Sequence, residues 1–218
     1  MKKISIFIAM CLAATLLLAN YSFDVGAYNP VDSGTSAMWS AEYFRAFDDN
    51  LDLILNIKYF QKTDNKMDQF DYTPGGGIPV TGQRLPAEIT TMHFPMLAGA
   101  RYNITETGLP IVPFIGGGVG FAFTWQNIFV VAANDPENPD DPLKNYPKFD
   151  DIWFWSGWVY NVNAGAAYQI GDKSQLYGKI DYMHSKLTRN TQKTDDGITR
   201  DARDMSGMGI SIGLRVKF

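Results

Sequence analysis

The chain has 218 residues, 45% of them hydrophobic, and its 19 basic and 23 acidic residues give a formal charge of −4. This acidic balance argues against nucleic acid as a partner, because nucleic-acid binding calls for a basic patch. A single cysteine excludes an internal disulfide framework, and the length suits one all-β domain behind a short N-terminal signal.

The N-terminus has the pattern of a signal peptide. Two lysines precede an apolar run that ends at Ala19, an order typical of secretion signals. We predict a signal peptide at residues 1–19 and one domain at residues 20–218, with cleavage after Ala27 as the alternative. An uncleaved anchor is disfavoured, because the run is shorter than the ~20 residues that a spanning helix needs. The mature chain would carry a charge of −6 and no thiol, since the only cysteine is Cys11.

Eight segments alternate between apolar residues and polar or small ones. Because successive side chains of a strand point to opposite faces, this period of two predicts eight strands, each with one apolar face. In chain order the segments are residues 21–27, 39–43, 51–59, 92–104, 115–125, 158–170, 176–182 and 208–218.

Two of these segments lie in uncharged stretches, residues 107–134 and 152–170, which hydropathy alone would assign to membrane helices. In the second stretch a helix would scatter Asn161, Asn163 and Gln169 around its circumference, whereas a strand puts all three on one face. In the first, two prolines and five glycines disfavour a helix. Both stretches are therefore predicted to be strands.

The connections between the segments alternate in length. Tight turns rich in Asp, Asn, Gly, Ser and Thr lie at residues 48–50, 105–108 and 171–174. Longer and mostly polar connections lie at residues 29–36, 62–86, 127–151 and 190–203. Short turns at one end and long loops at the other are typical of membrane barrels. We predict an all-β fold: an eight-stranded antiparallel up-and-down transmembrane β-barrel with short periplasmic turns and longer extracellular loops.

Aromatic residues predict where this barrel would meet the membrane interfaces. The tryptophans fall toward the long-loop end and several tyrosines toward the short-turn end, which matches two interfacial girdles. The residues assigned to the girdles are Trp39, Trp125, Trp153, Trp155, Trp158, Tyr102 and Tyr168.

The polar faces carry nine charges that we predict to line the lumen. They are Asp24, Glu42, Asp52, Lys58, Arg101, Lys179, Asp181, Arg215 and Lys217. A charge that faces lipid at mid-depth costs roughly 2–4 kcal/mol, so these side chains must point inward and the apolar faces must meet lipid. A soluble barrel would have the opposite arrangement. Because an eight-stranded barrel is about filled by its side chains, these charges predict a plug rather than an open pore.

Three segments, together with the signal, carry a resemblance to a known family. Residues 113–123 read PFIGGGVGFAF, residues 96–104 read MLAGARYNI, and the chain ends in ISIGLRVKF. With these segments the chain resembles the small eight-stranded outer-membrane barrels of the OmpX, OmpW and OmpA-transmembrane type, over essentially its whole mature length. The resemblance implies a bacterial outer-membrane location and contact with outer-membrane lipid and lipopolysaccharide.

The resemblance also implies that the outer-membrane assembly machinery reads the end of the chain. The assembly signal would be Leu214, Val216 and Phe218, although Phe218 could instead be a simple girdle residue. We expect a monomer.

Three functions compete at this point. We favour a structural or surface-interaction role without catalysis, and a narrow path for small, hydrophobic solutes as in OmpW-like proteins is the alternative. A lipid A-modifying enzyme comes third, because His184 and the adjacent Ser185 would point to opposite faces. Ser206 on the next strand could approach His184, but no partner acid is evident.

No segment predicts a cofactor. Residues 134–142 are rich in carboxylates, which can bind calcium, but their spacing is not that of an EF-hand and prolines dominate. A solvated loop is the preferred interpretation of this segment. The glycines of residues 116–118 lack the lysine that a phosphate-binding loop requires, so nucleotide binding is disfavoured.

Overall fold

A computed structural model of the chain describes residues 20–72, 80–105, 110–130, 150–194 and 197–217. The strands in these ranges are β1 (Asn20–Pro30), β2 (Ser36–Ala46), β3 (Leu51–Tyr72), β4 (Val80–Asn103), β5 (Ile111–Val130), β6 (Asp150–Gly171), β7 (Ser174–Thr194), β8 (Gly197–Asp204) and β9 (Gly207–Val216). Within the same ranges there is no helix long and apolar enough to cross a membrane. The predicted signal peptide, the acidic segment at residues 134–142 and Phe218 lie outside the described residues.

The strands form one closed antiparallel barrel with eight strand positions. From β1 to β7 each strand pairs with the next one in the chain. β9 closes the ring because it pairs with both β7 and β1. β8 pairs with β7 beyond the end of β9, so β8 and β9 share the eighth position. The predicted eight-stranded antiparallel barrel is confirmed.

The strands extend further than the period-two segments predict. β3 to β7 have 20–24 residues each, about twice the 9–11 that a membrane-spanning strand needs. Much of the sequence expected in loops, such as residues 62–72 and 80–86, belongs to these strands. Hydrogen bonding between strand main chains does not require an apolar face. The part of a hairpin that extends beyond the lipid can therefore lack alternating apolar residues and still be paired as a strand.

One hairpin is much shorter than its neighbours. β1 and β2 have 11 residues each and are joined by residues 31–35. β1 ends opposite Gly207, and β2 begins opposite the stretch of β3 that follows Phe60. The outer end of the barrel, opposite the short turns, is therefore uneven in height. The alternative signal cleavage after Ala27 would remove residues 20–27 of β1.

The exterior of the barrel is apolar around the ring. Phe23, Ile57 and Ile212 are 65%, 53% and 56% exposed, although all three are large hydrophobic residues. Every strand position contributes such side chains, among them Trp39, Met96, Val119, Val162 and Ile180. We call this surface the apolar belt. A water-soluble monomer rarely exposes a contiguous apolar surface of this extent, whereas a hydrocarbon phase favours it.

Candidate functional site

Charged side chains fill the half of the lumen nearer the short turns. Eight of the nine predicted lumen charges are buried there, with exposures of 7% or less. This charged layer consists of Asp24, Glu42, Asp52, Lys58, Arg101, Lys179, Asp181 and Arg215. Its four acids balance its four bases, so the layer carries no net charge.

Lys217 does not belong to this layer. It follows the end of β9 and its side chain is exposed. Its main-chain N–H donates to the carbonyl oxygen of Lys173 in a short turn, at 2.8 Å. The prediction for Lys217 was wrong because the period of two no longer sets the direction of a side chain beyond the last residue of a strand.

Two lysine–aspartate pairs lie in the interior, and one of them crosses it. Lys58 Nζ lies 2.5 Å from Asp181 Oδ2, and both side chains are at most 2% exposed. Lys58 is on β3 and Asp181 on β7, four positions apart in a ring of eight, so this pair spans the whole lumen. Lys179 Nζ lies 2.7 Å from Asp24 Oδ2, which also accepts a hydrogen bond from the Tyr177 hydroxyl at 2.8 Å. The first pair therefore obstructs the barrel axis.

Two arginines complete the charged layer. Arg101 Nη2 donates to Glu42 Oε1, and its Nη1 lies 3.9 Å from Asp52 Oδ2. Arg215 Nη1 donates to Gln175 Oε1 at 3.0 Å.

Aromatic rings hold both guanidinium groups in place. The Arg215 guanidinium lies 5.1 Å from the centroid of Phe44 and 5.6 Å from that of Phe114. The Arg101 guanidinium lies 5.9 Å and 5.1 Å from the same two rings. At these distances a cation is attracted by the ring quadrupole, so the rings partly replace water as the surroundings of the two charges.

Apolar side chains fill the outer half of the lumen. This apolar layer consists of Tyr28, Met38, Phe60, Leu97, Ala122, Trp155, Val159, Met183, Leu187 and Met205. His93 is fully buried at the same level of the lumen, and its Nδ1 lies 2.7 Å from Thr124 Oγ1. The sequence predicted a polar lumen, but charged side chains dominate only the inner half, and the outer half mixes the apolar layer with buried polar side chains such as Thr91 and Gln126.

Two tryptophans that we assigned to the outer girdle instead point inward. Trp155 is 2% exposed within the apolar layer, and Trp153 packs against that layer. The Arg189 guanidinium lies 4.0 Å from the Trp153 ring and 4.8 Å from the Trp155 ring. The assignment was wrong because alternate residues of a strand share a face. Trp153 and Trp155 lie an even number of residues from the inward-facing Val159, whereas Trp158 lies next to it and points outward.

The other girdle residues lie on the outside. Trp39, Trp158, Tyr102 and Tyr168 are exposed on the exterior. Trp125 also points outward but is half-buried between neighbouring rings, with the Phe94 centroid at 5.2 Å and the Phe154 centroid at 5.6 Å. These positions fit aromatic bands at the two edges of the apolar belt.

Labelling from within the hydrocarbon can test this surface, because residues 20–218 contain no cysteine. We expect an apolar thiol reagent dissolved in the membrane to label an Ile212→Cys variant and to miss a Ser211→Cys variant. The two residues are neighbours on β9, but Ile212 is exposed on the exterior and Ser211 is buried inside. Equal labelling of both variants in a folded barrel would contradict the assignment of the two faces.

His184 and Ser206 come together, as their positions on neighbouring strands allow. Ser206 Oγ lies 3.3 Å from His184 Nδ1 and accepts a hydrogen bond from the Ser185 main chain at 3.0 Å. Ser206 is only 5% exposed, and Asp204 accepts from its main-chain N–H rather than contacting the imidazole. A serine nucleophile needs access to substrate as well as a base, so this arrangement gives no support to catalysis.

One small cavity in the lumen has space for about one water molecule. This cavity lies between Glu42, Asn56, Lys58, Asn161 and Lys179, at the outer edge of the charged layer. Asn56 Oδ1 is buried without a hydrogen-bond partner among the described residues, so a water molecule there would have a polar partner. In the described ranges no group of three or more His, Cys, Asp or Glu residues could hold a metal ion.

No family model and no curated protein matches the sequence. Solved structures do match the fold. The outer membrane protein OprG from Pseudomonas aeruginosa has a TM-score of 0.50 and 16% identity, over 92% of this chain and 96% of that one. The chain has the fold of bacterial outer-membrane β-barrels.

Two further solved structures are similar at lower scores. The attachment invasion locus protein Ail of Yersinia pestis has a TM-score of 0.47 and 10% identity, over 91% of this chain and 97% of that one. The outer membrane protein W of E. coli has a TM-score of 0.45 and 12% identity, over 92% of this chain and 98% of that one.

The apolar belt and this fold together indicate the bacterial outer membrane as the location. The last strand carries two of the three residues predicted as an assembly signal. Leu214 is exposed on the apolar belt and Val216 is half-buried at the end of β9. Their recognition by the assembly machinery stays a prediction.

Proposed function

We propose that the chain is an outer-membrane barrel with a closed lumen, which acts through its outer surface and neither conducts solutes nor catalyses a reaction. The observation that carries the proposal is the filling of the lumen by two successive layers. The charged layer is bridged from one wall to the other by Lys58 and Asp181, and the apolar layer closes the outer half.

The energetics of the two layers support a permanent closure. Paired charges buried in a narrow lumen are costly to separate, because each would be left without a partner in surroundings of low polarity. The outer half is filled by the apolar layer and by the Arg203 guanidinium, which donates to Gln126 Oε1 at 3.0 Å, so an ion that entered it would lose its hydration shell at a large cost. Outer-membrane lipid would contact the apolar belt, and lipopolysaccharide would contact the outer rim of a monomeric barrel.

Planar-bilayer recording tests the closed lumen. We expect the inserted barrel to show no defined single-channel openings, because neither layer leaves room for a hydrated ion. Insertion is verified beforehand by the faster migration of the unheated barrel on a detergent gel, and a porin recorded in the same membranes serves as the conducting control. Discrete openings from the folded barrel would overturn the proposal.

A gap in one ladder favours a second candidate, a narrow path for small apolar solutes. Between β3 and β4, Ile57 pairs with Met96 and Phe60 pairs with His93, but the two residues between them on each strand are not paired. Pro95 lies within this gap and has no N–H to donate to β3. On the outside, the gap is covered by Tyr59 and Phe94, whose centroids are 4.7 Å apart. Faster uptake of an apolar dye by proteoliposomes than by empty liposomes would favour this candidate over the first.

A further inference from the structure

The short β1–β2 hairpin leaves a gap in the outer wall of the barrel. β3 continues outward through residues 63–72, and β8 continues the eighth position through residues 197–203. In the ring, β1 and β2 are the two strands between these walls. Beyond the end of the hairpin, none of the residues that the structure describes occupies either of these strand positions. We call this feature the rim notch, with residues 31–35 as its floor and residues 63–72 and 197–203 as its walls.

Main-chain groups of both walls point into the rim notch. Ser36 Oγ on β2 donates to the carbonyl oxygen of Gln61 at 2.7 Å, so the main chain of Gln61 faces the β2 side of β3. The main-chain N–H of Asp32 donates to the carbonyl oxygen of Asp204 at 3.1 Å, so Asp204 faces the β1 side. Main-chain direction alternates along a strand, so Thr63 and Ala202, two residues further outward, direct their N–H and C=O groups into the notch.

These groups have no ladder partner among the described residues. Within the notch, β3 pairs with β4 alone and β8 pairs with β7 alone. An edge strand with free N–H and C=O groups is a template for another strand.

Contacts between the floor and one wall hold the notch in shape. Arg203 Nη2 donates to Ser33 Oγ at 3.2 Å, and the main-chain N–H of Asp204 donates to Asp32 Oδ2 at 2.6 Å. The inner end of the wall at residues 197–203 is therefore anchored before any partner arrives, which lowers the ordering cost of binding.

We propose that the rim notch binds a β-hairpin of another protein, whose two strands pair with the two walls. The vacancy is two strands wide, and the walls are three inter-strand spacings of about 4.8 Å apart in ring order. β3 runs outward and β8 runs inward, so two antiparallel strands with their turn toward residues 31–35 would pair antiparallel with both walls. A single extended peptide would satisfy only one wall.

The inner side of the notch indicates the chemistry of the hairpin. Lys62 Nζ and Asp64 Oδ1 form an ion pair at 3.2 Å, and both side chains are about one-quarter exposed. Arg203 is half-buried on the opposite wall. Because Lys62 and Asp64 pair with each other and Arg203 already donates to neutral oxygens of Ser33 and Thr91, the inward face of the hairpin should be polar and uncharged, as with serine, threonine or asparagine. The proposal rests on the proposed surface role.

The test uses a synthetic threonine-rich β-hairpin peptide with a D-Pro-Gly turn and a fluorescent label. Its binding to the folded barrel in lipid nanodiscs is measured by fluorescence anisotropy. We expect saturable binding that weakens at least tenfold in Thr63→Pro and Ala202→Pro variants, because proline removes an N–H that faces the notch while the ladders to β4 and β7 persist. Thr63→Val and Ala202→Val keep the N–H and should bind as the unaltered barrel does.

A second measurement does not depend on the proline variants folding. N-methylation of the peptide's outward N–H groups should abolish its binding to the unaltered barrel. Absence of saturable binding, or binding that neither proline nor N-methylation weakens, would overturn the proposal.

Occupation of the notch by a second copy of the chain would also overturn it. Disulfide cross-links between copies of a Thr63→Cys, Ala202→Cys variant without peptide would reveal that outcome. If the peptide fails to bind to a barrel that does not conduct, the hairpin proposal falls and the closed lumen stands.

Discussion

An Asp181→Ala substitution is expected to lower the free energy of unfolding of the barrel by about 3–5 kcal/mol. It removes the partner of Lys58 Nζ, at 2.5 Å, and leaves the ammonium group buried in the centre of the lumen. The cost arises less from the lost attraction than from the charge that stays behind without water or counter-charge. Urea titration of the barrel in lipid vesicles, followed by gel migration without heating, measures the loss.

A matched control comes from a more exposed pair of the same type. Lys62 and Asp64 lie 3.2 Å apart with side chains about one-quarter exposed, so Asp64→Ala should cost no more than about 1 kcal/mol. Replacing both buried partners, in a Lys58→Met, Asp181→Leu variant, should restore much of the stability, because no charge is then left unpaired. If Asp181→Ala and Asp64→Ala cost the same, the pair across the lumen does not exist as described.

The parity of charged residues along the strands made the charged layer predictable. Asp24, Lys58 and Arg215 share the polar faces of apolar-patterned strands, and lipid penalises any alternative. The partners could not be predicted in the same way. That Lys58 pairs with Asp181 depends on ring order and strand stagger, which local sequence does not determine, since each residue only indicates its own face.

The apolar layer was missed because the outer halves of the strands do not keep the apolar and polar faces of the inner halves. On β7 the buried Met183 and Leu187 point inward, whereas the more exposed His184 and Lys186 point outward, which reverses the pattern of the inner half. A hydrophobic pattern distinguishes faces only where one of them is polar. The rim notch was missed for a related reason. Outside the lipid the strands lack alternating apolar residues, so the sequence does not show how long each hairpin is. The difference in length between β2 and β3 becomes visible only in the strand pairing.

Two tryptophans of β6 provide a test of this inward apolar face. Trp155→Ala should cost about 3–5 kcal/mol of unfolding free energy, the range for an aromatic truncation in a packed core. Trp155 is 2% exposed and touches Trp153, Arg189 and Arg203, so its removal leaves a cavity that neighbours fill only in part.

Trp158→Ala is the matched control, three residues away on the opposite face. Trp158 is 76% exposed and makes an edge-on ring contact with Phe121 at 5.9 Å. Its removal should cost about 0.5–1.5 kcal/mol of unfolding free energy, because lipid can occupy the space. Urea titration in vesicles measures both variants, and brominated lipids should quench less of the remaining tryptophan fluorescence in Trp158→Ala than in Trp155→Ala. A larger loss of stability for Trp158→Ala than for Trp155→Ala would contradict the inward position of Trp155 and the filling of the outer half of the lumen.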